Sequence, residues 1–446
     1  MEVKVDLANL YEERAGEGGI PRREWEAFLP QAQRAWWRLQ EARSRGEMAF
    51  LDLPYMREMD QVIEVSKRFR GRFDPVVLLG IGGSCLGPQA LAEAVFHPWM
   101  RSEGSAGAEG PRAFFLDNVD PSSCRHALEV AQEGNPLVIV ISKSGTTVET
   151  LAQFLLFLDM LKRRFSDWRE RIVVITDPEK GPLRAFATEE GLTTLPIPPK
   201  VGGRFSVLSA VGIFPAYALG IEGEEILLGA VEADRALRAE EGNPALETAS
   251  LLYLLHTRMG KGIWVTCPYG DALEGLAAWR AQLIGESLGK REDIAPTPVS
   301  ARGTTDQHSQ LQLWLEGPRD KVFTFLRLKG HPLRAPIPEV DFPAEEAESL
   351  KGKEIGELLE AERRATQYVL TQRGRPNYTV TLSGPTPKAL GALFFMWEVE
   401  TVLLGSFYGV NPFDQPAVEK GKRLTWGLMG RKGFEAEREE IEAWGG

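Results

Sequence analysis

The sequence predicts an α/β protein built from two mainly parallel β-sheets flanked by helices. Apolar runs of strand length alternate with helical segments over residues 75–200 and again from residue 250 onward. Such alternation is typical of parallel sheets that helices cover on both faces. A chain of 446 residues is also too long for one ordinary hydrophobic core. We therefore expect two large domains.

The periodicity divides the chain into five parts. Apolar residues at helical spacing predict a helical N-terminal arm, and a glutamate-rich stretch predicts a linker between the domains. The charged run 344–373 predicts a helix with a solvated face, and the almost uniformly apolar run 386–404 predicts a buried helix. The parts are the arm (1–72), the first domain (73–220), the linker (221–248), the second domain (249–405) and a C-terminal helical segment (406–446).

Composition and charge exclude several classes of protein. Fifty-two basic against 63 acidic residues give a net charge of −11, which disfavours a nucleic-acid partner. The start of the sequence lacks the character of a signal peptide, and no uncharged apolar run reaches the length of a membrane span. Cys85, Cys124 and Cys267 show no paired spacing, so neither a disulfide framework nor a zinc site is expected. We expect a cytoplasmic protein that does not bind membranes.

The segment 141–150 is the most informative stretch of the chain. An apolar strand, 137–141, is followed by the hydroxyl-rich loop Ser-Lys-Ser-Gly-Thr-Thr and then by an apolar helix. Backbone N–H groups, hydroxyl oxygens and the positive end of the helix dipole converge at such a loop. The loop lacks the glycine and lysine spacing of a nucleotide P-loop. It therefore predicts a site for a single phosphate on a small molecule.

Two glycine-rich loops accompany this segment. The turn 80–87 contains Gly83 and Ser84, and it would let backbone and a hydroxyl approach a ligand. A dinucleotide site is the alternative, although the third glycine of that fingerprint and its acidic partner about 20 residues later are missing. In the second loop, Arg204 follows two glycines and could face a developing oxyanion, or it could form a structural ion pair.

Five further polar side chains are candidates for catalysis or binding. Gln282 and Glu286 lie four residues apart on one helix face, with apolar neighbours that would make the carboxylate a usable general base. His308 lies in an unusually polar loop, and Lys422 follows Gln415 by about two helical turns. Ordinary alternatives exist: Glu286 could be a surface carboxylate, His308 could be a structural histidine, and the segment with Gln415 and Lys422 could be an amphipathic C-terminal helix.

Together, these motifs resemble the phosphoglucose isomerase (glucose-6-phosphate isomerase) family over roughly residues 74–430. The resemblance depends on six segments in the family's order: 80–87, 141–150, 202–212, 282–290, 304–310 and 411–422. It implies two sugar-isomerase (SIS) domains and the interconversion of glucose 6-phosphate and fructose 6-phosphate through a cis-enediolate, a step of glycolysis and gluconeogenesis. It also implies a homodimer whose active site lies at the subunit boundary, with no metal or organic cofactor.

The resemblance also assigns roles to individual residues. Glu286 matches the base that moves the proton, and Arg204 matches the cation that stabilises the enediolate. His308, supplied by the neighbouring subunit, and Lys422 match the residues that open the sugar ring. The substrate and its phosphate would be held by Gly83, Ser84, Ser142, Lys143, Ser144, Thr146, Thr147, Gln282 and Gln415.

Two alternatives remain beside this function. An isomerase that also accepts mannose 6-phosphate would use the same residues, because the two aldoses differ only in the configuration at C2. A sugar-phosphate sensor would keep the phosphate loop but would not need Glu286, Arg204, His308 and Lys422 together. The presence of all four disfavours the sensor.

Overall fold

The computed structural model describes residues 2–96, 110–238 and 242–445, and within them the chain forms two five-stranded sheets. The first sheet is wholly parallel in the order β3-β2-β4-β5-β6. Its strands are β2 Val76–Leu79, β3 Ala113–Leu116, β4 Leu137–Ile141, β5 Ile172–Thr176 and β6 Thr193–Pro196. Parts of the predicted first domain (97–109) and linker (239–241) lie outside the described residues.

The second sheet has the order β1-β10-β9-β7-β8, and only β1 runs antiparallel to its neighbour. Its strands are β1 Val3–Asp6, β7 Ile263–Tyr269, β8 Thr297–Ser300, β9 Lys321–Leu328 and β10 Asn377–Leu382. The predicted fold class, two mainly parallel sheets with flanking helices, is confirmed.

Helices surround both sheets. Those before β7 are α1 Glu12–Ala15, α2 Arg22–Ser44, α3 Ala49–Asp52, α4 Arg57–Lys67, α5 Leu86–Phe96, α6 Pro121–Glu133, α7 Val148–Arg164, α8 Pro182–Glu189, α9 Ala210–Ala218, α10 Gly223–Leu237 and α11 Pro244–Met259. Those after β7 are α12 Glu274–Leu288, α13 Thr305–Ser309, α14 Leu311–Glu316, α15 Glu345–Glu348, α16 Ile355–Gln372, α17 Pro387–Tyr408, α18 Glu419–Leu428 and α19 Glu435–Ala443.

Strands that are buried on both faces explain the continuous apolar runs in the sequence. In β4, Leu137, Ile139 and Ile141 point into the large core that the two sheets share. Val138 and Val140 point to the other face, where they pack against helices α6 and α7. Alternate side chains therefore enter different cores, and no position in the strand tolerates a polar residue.

Helix α17 is the central element of the shared core. It is long and apolar enough to cross a membrane, yet 94% of its most apolar window is buried inside the protein. Glu400 in this helix forms a buried ion pair with Arg280 at 2.8 Å. Glu398 is also fully buried, but neither of its carboxyl oxygens has a hydrogen-bond partner. Burial raises the pKa of the Glu398 carboxyl well above its ordinary value, so it is held as the neutral acid.

The structure differs from the sequence-based expectation at two places near the domain boundaries. The arm predicted to be helical opens with strand β1, whose Val3–Asp6 pair with β10. The predicted linker contains helix α10, which packs tightly on α17. A Cβ atom on Gly229 would lie 1.8 Å from the carbonyl oxygen of Lys388, and one on Gly391 would lie 1.9 Å from that of Ile226. These glycines let the two backbones touch, so the glutamate-rich stretch is the outer face of a core helix, whose Asp234 is itself buried in an ion pair with Arg43.

The predicted charged helix over 344–373 is divided in the structure. Helix α15 ends at Glu348 and α16 begins at Ile355. Between them Gly352 has a φ of +70°, a conformation that breaks a right-handed helix.

Candidate active site

Three loops meet at the carboxyl edge of the first sheet. The turn after β2 touches the loop that contains Arg204, because a Cβ atom on Gly83 would lie 2.1 Å from the carbonyl carbon of Gly203. Gly82 has a φ of +57°, and a Cβ there would lie 2.7 Å from Nε2 of Gln282. Ser84 completes this turn and is half-buried. Glycine is required at these positions so that the backbone can approach the neighbouring loop and helix.

The loop after β4 is organised by its own hydroxyl groups. The Ser142 and Thr147 hydroxyls are hydrogen bonded at 2.9 Å, and the backbone N–H of Gly145 donates to Ser142 Oγ at 3.1 Å. The Thr146 hydroxyl and backbone N–H both donate to Ser144 Oγ, at 3.0 and 3.2 Å. Thr147 is the N-cap of the 17-residue helix α7. The loop is therefore shaped in advance around the positive end of a helix dipole, where an anion is stabilised.

Lys143 ties this loop to the next one. Its ammonium group donates to the carbonyl oxygens of Pro199 at 2.7 Å and Val201 at 2.8 Å. Burial lowers the pKa of this amine, and Asp177 acts in the opposite direction. The lysine thus fixes the distance between the hydroxyl loop and the segment that leads to Arg204.

Arg204 is the most constrained side chain of the site. Only 2% of the residue is exposed. Its Nε donates to Ser287 Oγ at 2.8 Å, and its Nη2 donates to the carbonyl oxygens of Pro412 and Asp414. Its Nη1 donates to Glu286 Oε2 and to Gln415 Oε1, each at 2.9 Å. Burial lowers the pKa of the guanidinium, and the carboxylates of Glu286 and Asp414 counteract this effect. Arginine still keeps its charge in such a place.

Glu286 is held at both of its oxygens but stays accessible. Oε2 accepts from Arg204, and Oε1 accepts from Gln282 Nε2 at 2.9 Å. Its side chain is 35% exposed, whereas that of Arg204 is 1% exposed. The carboxylate is thus aimed outward from a rigid cationic support. Arg204 therefore does form the ion pair that was the alternative to a catalytic role, and its partner in that pair is the candidate base Glu286.

The C-terminal segment closes one side of the site. Gln415 and the carbonyl oxygens of Pro412 and Asp414 accept hydrogen bonds from Arg204, as described above. In addition, Lys290 pairs with the Asp414 carboxylate at 3.1 Å. Ser287, Lys290 and Asp414 are not predicted as site residues, although all three lie inside the motif segments 282–290 and 411–422. Their side chains hold Arg204 or the segment beside it, and no local pattern distinguishes such a support from a surface residue.

His308 lies elsewhere in the same chain. The end of α12 that carries Glu286 is near the start of β8, where a Cβ on Gly285 would be 3.9 Å from Pro298. His308 lies beyond the carboxyl ends of β7 and β8. The N–H of Gly303, which follows β8, donates to the carbonyl of Pro268 near the end of β7 at 2.7 Å. Pro298 is paired with Trp264. Trp264 and Pro268 are four residues apart in β7, so at ~3.3 Å per residue these two places on the sheet are about 13 Å apart.

His308 and Lys422 are both exposed. His308 lies in the short helix α13. Lys422 lies on α18, where its amine pairs with Glu419 at 2.7 Å. The structure therefore brings together the hydroxyl loop, the glycine turn, Arg204, Gln282, Glu286 and Gln415, whereas His308 lies at the opposite edge of the second sheet.

Comparison with known proteins identifies the family. The family model described as phosphoglucose isomerase matches residues 56–434. A glucose-6-phosphate isomerase from Rubrobacter xylanophilus is 43% identical, with 98% of this chain and 100% of that protein covered. The solved structure of a hypothetical protein from Thermus thermophilus is 37% identical, with a TM-score of 0.84 and coverage of 96% and 99%. That of a glucose-6-phosphate isomerase from Chlamydia trachomatis is 25% identical, with a TM-score of 0.73 and coverage of 87% and 76%.

These matches favour neither a sensor nor an isomerase that also accepts mannose 6-phosphate. The resemblance inferred from the six motif segments is confirmed. The chain belongs to the phosphoglucose isomerase family, whose members are aldose–ketose isomerases.

Proposed function

We propose that this protein interconverts glucose 6-phosphate and fructose 6-phosphate, with Glu286 as the base. One observation supports this above all others. A half-exposed carboxylate is fixed between Gln282 and the buried Arg204, beside a hydroxyl loop at a helix N-terminus. An aldose and a ketose differ by one proton on adjacent carbons and one on their oxygens, so one carboxylate that reaches both carbons can carry the carbon proton.

The residues present account for each step. Glu286 takes the proton from C2, and electrons shift to give a cis-enediolate across C1 and C2. The same residue then returns the proton to C1, while the second proton moves from O2 to O1. Arg204 lies beside the place where negative charge develops, and a fixed cation there is worth ~100–1,000-fold in rate. Since its donors are already hydrogen bonded, the guanidinium needs no rearrangement before the reaction.

The phosphate would be bound away from the reacting carbons. We assign it to the loop 142–147, with Ser142, Ser144 and Thr147 as direct partners and Lys143, Thr146, Gly83 and Ser84 close by. The preformed hydroxyl network and the dipole of α7 support this assignment. Holding the far end of the sugar orients C1 and C2 toward Glu286 and reduces the entropy lost in the reaction. Gln282 and Gln415 would contact the sugar itself.

We further propose that the enzyme is a cytoplasmic homodimer in which His308 serves the partner's site. Its exposure, and its place at the edge of the sheet opposite Glu286, support this arrangement. Lys422 and the incoming His308 would open the sugar ring by proton transfer to and from the ring oxygen and the C1 hydroxyl. No metal or organic cofactor is needed for these steps.

A coupled assay tests the function. Purified protein supplied with fructose 6-phosphate should generate glucose 6-phosphate, which an NADP-dependent glucose-6-phosphate dehydrogenase reports as NADPH. Mannose 6-phosphate, tested as a second substrate by the appearance of fructose 6-phosphate, should react far more slowly. The absence of turnover with fructose 6-phosphate would refute the proposal.

Mixed subunits test the shared site. Glu286→Gln and His308→Ala chains should each keep only a small residual activity, but after subunit exchange a mixed dimer has one site free of both substitutions. An equal mixture should then recover about a quarter of wild-type activity, because half of the dimers are mixed and each has one intact site. If both residues served the same chain's site, mixing would restore nothing.

A further inference from the structure

The turn that carries His308 contains a strained residue. Thr304 has φ +60° and ψ −58°, and the N–H of Thr305 donates to the carbonyl of Gly303 at 2.9 Å. This is a γ-turn of the rare kind with positive φ, which is costly for any residue with a Cβ and most of all for a β-branched one. The carbonyl of Thr304 in turn accepts the backbone N–H of His308 at 3.3 Å. The strained residue therefore fixes the start of the turn on which His308 lies.

Side chains from helix α16 hold the turn in this shape. The Thr304 hydroxyl donates to Glu362 Oε2 at 2.7 Å. One helical turn later, the Thr366 hydroxyl donates to Gln307 Oε1 at 2.8 Å, and the Tyr269 hydroxyl donates to the same oxygen at 3.0 Å. Two residues that precede His308 are thus anchored, while the histidine itself stays exposed.

We propose that Glu362 is a positioning residue for His308, acting through the hydroxyl of Thr304. The inference rests on the role proposed above for His308. Glycine would form the same γ-turn without strain, but it would lack the hydroxyl that joins the turn to α16. Backbone strain of this kind persists only where the surroundings impose it, and it concentrates at functional sites. The contact between Thr304 and Glu362 orients the turn, and it thereby sets the direction in which the His308 side chain projects from its own subunit.

Kinetic constants of Glu362 variants test the proposal. Glu362→Ala removes the acceptor and should lower kcat roughly 10- to 100-fold, since a displacement of about 1 Å in a catalytic group can cost that much. KM should change less than about twofold, because the phosphate loop is untouched. Glu362→Gln keeps an acceptor oxygen and should stay near wild type. Glu357→Ala removes an exposed carboxylate from the same helix and provides the matched control. Equal losses of kcat in the Ala and Gln variants would contradict the proposal.

A double-mutant cycle separates positioning from general stability. In a His308→Ala background, Glu362→Ala should lower kcat no further, because the residue through which it acts is gone. An equal fold-loss in both backgrounds would overturn the proposal. Should Glu362→Ala fail to fold, Thr304→Val and Thr304→Ser give the same comparison, since only serine keeps the hydroxyl. An inactive wild-type enzyme would instead refute the proposed function, and a His308→Ala variant with a kcat near that of wild type would refute the role of His308.

Discussion

Replacing Glu286 by glutamine removes one proton acceptor and almost nothing else. General-base catalysis contributes roughly 10²–10⁴-fold, so we expect kcat to fall by at least about 10³-fold when no other group can take the proton. The amide oxygen of glutamine can still accept from Arg204. The lost ion pair joins a 1% exposed arginine to a 35% exposed carboxylate. Its loss should cost about 1–2 kcal/mol, between the values for exposed and buried pairs.

Two measurements separate these effects. The coupled NADPH assay gives kcat, and calorimetric titration with a non-reacting phosphorylated sugar gives affinity, which should stay within about threefold of wild type if only ground-state contacts remain. Glu274→Gln, at the other end of the same helix and paired with Arg302 at 2.6 Å, should leave kcat within about twofold. Residual activity above a few per cent in Glu286→Gln would show that another group is the base. A large loss of affinity would show that Glu286 binds rather than reacts.

The remaining predictions concern the phosphate loop, the glycine turn and the buried acid. Ser144→Ala with Thr147→Ala should raise KM and weaken inorganic phosphate binding at least about tenfold, and unchanged affinity would mean that the phosphate binds elsewhere. Gly83→Ala should lower the melting temperature and abolish turnover because of the 2.1 Å clash, whereas Gly330→Ala, with nothing within 4 Å, should do neither. Folded Glu398 keeps a proton that the unfolded chain releases, so stability should fall as pH rises above the ordinary carboxyl pKa. Glu398→Met should therefore raise the melting temperature more at pH 8 than at pH 5, and an equal rise at both would contradict this reasoning.

Sequence patterns predicted the fold well where the signal was local. The run from Leu137 to Ile141 is apolar at every position, and the structure confirms a parallel strand buried on both faces. Strand β1 was missed, because four residues with alternating polarity near a terminus give no signal until their partner β10 is known. The sequence predicts a linker in place of helix α10 because the outer face of this helix is rich in glutamate. Gly229 and Gly391, which allow its tight packing, are far apart in the sequence.

The candidate site shows the same division. The segment 141–147, Arg204 and Glu286 stand in local motifs that make them candidates, although Arg204 and Glu286 each have an ordinary structural alternative. The contacts that support them join residues that are distant in the chain, such as Arg204 with Gln415 and Thr304 with Glu362. The strain at Thr304 is also invisible in the sequence, since the neighbouring Gly303 is the residue that a turn would normally suggest. Pairings of this kind become apparent only when the fold has been formed.

The pairing of β1 with β10 also bears on how the protein is made. The first sheet uses strands that all lie between residues 76 and 196, so it can assemble while the rest of the chain is still being synthesised. Strand β1 leaves the ribosome before its partner β10, which begins only at residue 377. The edge of the second sheet can therefore be closed only after residues 377–382 have been synthesised, and until then residues 3–6 are an unpaired strand on the nascent chain.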